Sequence, residues 1–276
     1  MEATDLFTLK GLKSKDKITV DENGVVTLKA SNLVDNPTAG TKVELTGDGY
    51  TLALADDVPQ AEAAGIKAMS GTSGYTISAD GVYKFAEGFT GTVTIGANAK
   101  NVKIIGASST LSNVSIDASA VSGINLWIQN LVISSTEEKN LIKFGSGDNY
   151  LTVKGTNTLT DSAMGVSYDQ ALINVGSGTL NIIGDGTLTA EMTGSESYGA
   201  AIGTDYRGTG GAINIGGSVN ITAKNGWHGA GIGAGDNGSV NSVAYGTGAT
   251  VTNNGTVISD DQKNGRRDDA HSDGSN

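Results

Sequence analysis

The sequence predicts an all-β fold, a parallel β-helix (β-solenoid) with three short strands in each coil, preceded by a small all-β unit. Three observations carry this prediction. Of 276 residues, 41 are Gly against 2 Pro, roughly twice the usual Gly share of about 7% and with no collagen-like triplet period, which points to many tight turns. The aliphatic residues fall in short alternating runs too small to form a core alone. Four isoleucines, Ile142, Ile173, Ile202 and Ile232, recur at intervals of 31, 29 and 30 residues. A fixed period of that size is the mark of stacked repeats.

Each repeat Ile opens a first strand, and two further strands follow it. The second strands are Leu151-Thr152-Val153, Leu180-Asn181-Ile182, Ile213-Asn214-Ile215 and Val240-Asn241-Ser242-Val243. The third are Thr158-Leu159-Thr160, Thr187-Leu188-Thr189, Asn220-Ile221-Thr222 and Thr250-Val251-Thr252. Each buries one or two aliphatics, so only stacking at about 4.8 Å per coil gives a continuous core. Ile173, Leu180 and Leu188 should therefore point inward and meet Ile202, Ile213 and Ile221 of the next coil. Upstream strands around Val93/Ile95, Val102/Ile104, Val114/Ile116, Ile124/Leu126/Ile128 and Leu131/Ile133 read as earlier, less regular coils.

The alternating segments of residues 1–56 read as a small β unit, with turns at Glu22-Asn23-Gly24 and Gly47-Asp48-Gly49. Residues 57–73, containing Pro59 and Gln60-Ala61-Glu62-Ala63-Ala64-Gly65, break the alternation and read as a linker or short helix. The β-helix is expected over 74–258, and the polar tail 259–276 is expected to be disordered.

Composition excludes several functions. The formal charge is −11, from 18 basic and 29 acidic residues. Arg occurs three times, at 207, 266 and 267, and the acidic balance argues against a nucleic-acid partner, which needs a clustered basic face. With 0 Cys there is neither a disulfide framework nor a thiolate metal site. No run approaches the roughly 18 apolar residues of a membrane span. Met1-Glu2-Ala3-Thr4-Asp5 carries no basic and apolar leader. Two alternatives stay open: an internal piece of a larger protein, or an export signal that lies elsewhere.

The stretch Thr179-Leu180-Asn181-Ile182-Ile183-Gly184-Asp185-Gly186-Thr187-Leu188-Thr189-Ala190 resembles the repeats of bacterial secreted and surface carbohydrate-binding-domain proteins. Gly199-Ala200-Ala201-Ile202-Gly203 and Gly229-Ala230-Gly231-Ile232-Gly233-Ala234-Gly235 are similar to their glycine-rich coils. The resemblance spans about residues 74–255. It implies a pectate-lyase-like, right-handed parallel β-helix and a secreted or cell-surface, adhesin-like protein. The implied partner is a polysaccharide or surface glycan, in some members with calcium.

Tyr168, Tyr198 and Trp227 precede the repeat isoleucines by four or five residues and are separated by 30 and 29. They are expected to stack on successive coils as a strip for sugar rings, whose C–H faces pack on aromatic faces. The alternative is a stack that only seals the turn. His228 and Tyr206 lie beside this strip as further candidate glycan contacts. Asp148, Asp205 and Asp236, in the turns after the first strands, are the candidate Ca²⁺ ligands. Single carboxylates would need carbonyl and water oxygens to complete such a site.

Enzymatic readings have thinner support. A lyase needs a basic residue near an acidic cluster; the only Arg within the expected solenoid is Arg207, Lys143, Lys154 and Lys224 are scattered on different coils, and no dense Asp cluster accompanies them. A hydrolase needs two acids about 5–10 Å apart; Asp161, Asp185 and Glu191 are available. Thr158/Thr160, Thr187/Thr189, Asn220/Thr222 and Thr250/Thr252 form an outward ladder of the kind β-solenoid ice-binding proteins display, or simply suit an exposed strand. The loose GxGxxA match at Gly229–Ala234 lacks the following helix that a dinucleotide needs. The expected function is a non-enzymatic glycan-binding or adhesion module, with a polysaccharide lyase or hydrolase and a structural spacer as alternatives.

Overall fold

The computed structural model describes residues 65–163, 169–194, 197–225, 228–246 and 248–254, together with five short strands between residues 8 and 55. The chain divides into two units, Met1–Gly65 and Ile66–Asn276. In the first unit Thr8–Leu9 pairs antiparallel with Leu45–Thr46. Val25–Lys29 pairs antiparallel with Thr19–Val20 and parallel with Thr51–Ala55. Residues 57–64 of the expected linker and the polar tail lie outside the described residues. The linker's second half is reassigned, because Ile66–Met69 is a strand paired with Gly81–Phe85. Only Met69 of that strand is buried, so its four residues carry too little alternation to read as a strand.

The second unit is a parallel β-helix. Its strands form three sheets of eight, seven and six, every pairing is parallel, and among the described residues there is no helix. Each full coil runs from the seven-stranded sheet to the eight-stranded sheet to the six-stranded sheet, as in Ile142–Phe144, Asp148–Lys154 and Thr156–Asp161. The coil widens along the chain. Paired residues of the seven-stranded sheet are offset by 18 (Tyr75 to Val93), 23 (Val93 to Ile116) and 26 (Ile116 to Ile142). The offsets then settle at 31, 29 and 30 through Ile173, Ile202 and Ile232. The six-stranded sheet begins only at Leu111–Ser112. Before it, rings help fill the narrow end, with Phe85 and Phe89 both buried and 5.0 Å apart.

The core follows the predicted stacking. Ile173 pairs with Ile202, Leu180 with Ile213 and Leu188 with Ile221, and all six are fully buried. One coil earlier, however, the equivalences shift by two residues. Leu151 pairs with Ile182, not Leu180, and Leu159 pairs with Ala190, not Leu188. A two-residue slip leaves the inward and outward faces unchanged, so alternation alone could not expose it.

The positions actually level with Leu180 and Leu188 hold Asn149 and Asn157, both fully buried. Their amides replace packing with backbone capping. Asn149 Oδ1 accepts from the Ile124 N–H (3.2 Å), and its Nδ2 donates to the carbonyls of Gly145 (3.2 Å) and Gly147 (3.3 Å). Asn157 Oδ1 accepts from the Leu131 N–H (2.9 Å), and its Nδ2 donates to Lys154 O (2.9 Å) and Thr187 O (3.3 Å). Buried turn groups of this kind need partners. Replacing Asn157 with Leu, the residue of the next coil, is therefore expected to destabilise by about 1–3 kcal/mol, because it strands a buried N–H and carbonyls. Thermal unfolding of N157L checks this; a melting temperature equal to the parent's would refute the capping role.

The outward threonines of the six-stranded sheet form two columns. Thr156, Thr187, Asn220 and Thr250 make one, and Thr158, Thr189, Thr222 and Thr252 the other.

Candidate functional site

The site candidate lies where the seven-stranded sheet is narrowest. Its last strands, Ile202–Gly203 and Ile232–Gly233, have two residues each. The chain curls tightly around both: the Ala200 N–H donates to Thr204 O and the Ala230 N–H to Ala234 O, each at 3.0 Å. Small residues make this possible. A Cβ on Gly199 would sit 2.3 Å from the Gln170 carbonyl, and one on Gly229 would sit 2.1 Å from Gly199 O. The loop before each strand and the turn after it thus reach one edge of the coil. The turns close through the Gly208 N–H to Asp205 O and the Gly238 N–H to Gly235 O, both 2.9 Å. Arg207 and Asn237 both adopt φ 54 in those turns.

Hydrogen bonds between coils then fix which residues are level. The Tyr206 N–H donates to Asp169 O and the Asp236 N–H to Tyr198 O, both at 2.7 Å. Asp169, Tyr198 and His228 therefore share one loop position on three successive coils, while Tyr206 and Asp236 share one turn position on two. The result is a ring cluster. Tyr198 lies 4.6 Å from the His228 ring at 36° and 5.4 Å from the Tyr206 ring at 53°. The Arg207 guanidinium stands 4.8 Å from the centre of the Tyr206 ring, within cation–π range. Tyr198 and Tyr206 are half-buried and His228 is mostly buried, so each is held by the coil and still meets solvent.

Tyr168 and Trp227 lie outside the described residues. The level pairing Ile173–Ile202–Ile232 gives steps of 29 and 30, whereas the rings were matched on steps of 30 and 29. Hence the neighbours found at the Tyr198 level are Asp169 and His228. His228, expected only as an accessory, is the residue that stacks on Tyr198, and Tyr206 completes the group from the turn.

Carboxylates surround these rings. Asp236 Oδ2 is 3.9 Å from His228 Nδ1, and the two side chains are 13% and 12% exposed. Asp205 Oδ1 accepts from the Ala171 N–H and from Asn140 Nδ2, both at 2.8 Å. Glu138 Oε1 accepts from the Asp169 N–H at 3.0 Å. Burial raises the Asp169 carboxyl above the usual carboxylate range; Glu138 raises it further, Arg207 opposes the shift, and Asp205 adds to it. Asp169, Glu138 and Asn140 were not singled out from the sequence. Only the adjacency of Asp169 to Tyr168 could have drawn attention to it.

The three candidate calcium ligands are not gathered. Asp148 is exposed at the start of its strand and pairs with Thr179. Asp205 is level with Gly235, whose Cβ would lie 2.5 Å from Asp205 O, so Asp205 and Asp236 occupy different turn positions. Among the described residues no group of three or more His, Asp or Glu side chains is placed to hold a metal ion. Several acids and lysines weighed for catalysis are engaged elsewhere: Lys154 pairs with Asp185 at 3.1 Å and Lys224 with Glu191 at 2.6 Å. Asp161 is buried and accepts from the Ala163 N–H at 2.6 Å. No described helix is long and apolar enough to cross a membrane. Comparison with known protein families, with curated proteins and with solved structures finds no match to this chain.

Proposed function

We propose that the β-helix is a non-catalytic glycan-binding module of an exported or cell-surface protein. One observation carries the reading: Tyr198, Tyr206 and His228 form a partly buried ring cluster on one coil edge, with Arg207 and Asp236 beside it. Sugar rings combine apolar C–H faces with hydroxyls, so a platform of this kind offers both the stacking surface and the polar partners. Aromatic rings already fixed by packing lose little entropy on binding.

The test is a glycan array with the purified chain, followed by titration of the best oligosaccharide. Tyr206→Ala is expected to weaken binding by on the order of 1–2 kcal/mol while leaving the circular dichroism unchanged, since a half-exposed turn ring contributes modestly to the fold. No bound glycan should be cleaved. Unchanged affinity in a Tyr198→Ala/Tyr206→Ala double variant would remove this function from the cluster.

A further inference from the structure

The ring cluster has an uneven electrostatic surround. Four carboxylates come from four successive coils on this edge: Asp236 Oδ2 lies 3.9 Å from His228 Nδ1, Asp169 shares the loop position of Tyr198, Asp205 precedes Tyr206 in the turn, and Glu138 Oε1 accepts from the Asp169 N–H. Among the described residues, the one permanent cation shown against these rings is Arg207, whose guanidinium is already drawn over the Tyr206 ring. Asp169 lies at the loop position of Tyr198 and Asp236 at the turn position of Tyr206, so both acids continue the columns that hold the rings. Asp205 uses one carboxylate oxygen on the Ala171 N–H and Asn140, which fixes its charge toward the two preceding coils. Glu138 is exposed, and its charge is felt at Asp169 together with that of Asp205. His228 adds a second positive charge only when protonated.

On the glycan-binding reading above, we infer that this site selects oligosaccharides bearing protonated amino groups over neutral ones, and neutral ones over uronates. The reason is charge discrimination by repulsion as well as attraction. A uronate on the rings brings a further carboxylate next to Asp236 and onto an edge that already carries three more acids, and like charges in a partly buried site repel more strongly than in water. An ammonium group gains from the same field. A neutral sugar keeps the stacking and is indifferent to the charges.

The experiment is a titration of the full chain with three oligosaccharides of equal length. These are a fully deacetylated chito-oligosaccharide, its N-acetylated form and an oligogalacturonate, at pH 6 and at low and high salt. The deacetylated ligand is expected to bind about tenfold more tightly than the acetylated one at low salt, with the advantage shrinking as salt screens the field. The oligogalacturonate is expected to bind weakest. Because the whole chain is acidic, a local origin needs its own check. Glu138→Gln/Asp169→Asn should reduce the amine preference while keeping affinity for the acetylated ligand, whereas Asp185→Asn, exposed and paired with Lys154, should leave the preference intact. Equal binding of the amine and acetylated ligands, uronate binding at or above the neutral level, or a preference lost equally in both variants overturns the selectivity while leaving a glycan site standing. Binding of none of the three overturns both.

Discussion

Replacing Leu180 with Asp is expected to open the C-terminal half of the β-helix. Leu180 is fully buried, level with Asn149 on one side and Ile213 on the other. The Asn149 amide is already committed to the carbonyls of Gly145 and Gly147, so it offers the new carboxylate little. A buried, unpaired carboxylate either stays charged at high cost or takes up a proton, and the Leu packing is lost in both cases. The combined penalty is at least about 4 kcal/mol, which corresponds to a melting shift on the order of 10 °C for a unit of this size. Stacked coils contact only their neighbours, so the damage should also be local. Hydrogen exchange should quicken across 173–254 while Val93–Ile128 stays protected. Leu180→Ile, nearly volume-conserving, should cost less than about 1.5 kcal/mol. A Leu180→Asp variant that melts with the parent would show that the side chain is not inside the solenoid.

The difference between what alternation fixes and what it leaves open explains which parts were legible. The columns Ile142–Ile173–Ile202–Ile232, Leu180–Ile213 and Leu188–Ile221 were readable because a buried aliphatic every second residue marks the inner face of each strand. The coil of Leu151 and Leu159 was misaligned by two residues, since the true equivalents of Leu180 and Leu188 are asparagines. A buried Asn that caps backbone looks, in sequence, like any turn residue. The narrowing toward the first coils was visible only as irregularity, because the offset itself changes from coil to coil. The ring site suffered most. Its residues lie in loops and turns where no alternation fixes the level, and one residue more or less moves a match from Asp169 to Tyr168 or from His228 to Trp227. The acids around it are contributed by four coils, and proximity of that kind is set by stacking rather than by spacing within a repeat.

Gly203 provides the second large effect, and it separates structural from repeat-based expectation. The preceding coil holds Asn174 at the level of Gly203, so comparison of repeats would accept Asn there. The geometry does not. A Cβ on Gly203 would lie 1.6 Å from Gly233 O, 2.7 Å from Gly233 C and 2.9 Å from the Ala200 Cβ, and φ is 156°. The obstructing atoms are mostly backbone, tied into the pairing of Ile202–Gly203 with Ile232–Gly233 and into the Thr204 N–H bond to Gly233 O. They cannot swing aside as the end of a flexible side chain would. Gly203→Asn is therefore expected to cost about 3–5 kcal/mol, combining overpacking with backbone strain. Gly216→Ala is the matched control: nothing lies within 4 Å of its Cβ position, so the change should stay within about 0.5 kcal/mol of the parent. The same close approach of coils sets Tyr198 against His228 and bonds the Asp236 N–H to Tyr198 O. Gly203→Asn should thus also disturb the ring cluster, seen as changed near-ultraviolet circular dichroism from the tyrosines, even at temperatures where the earlier coils remain folded. Stability and tyrosine signal both equal to the parent's would mean that the last two coils do not approach as closely as this stacking requires.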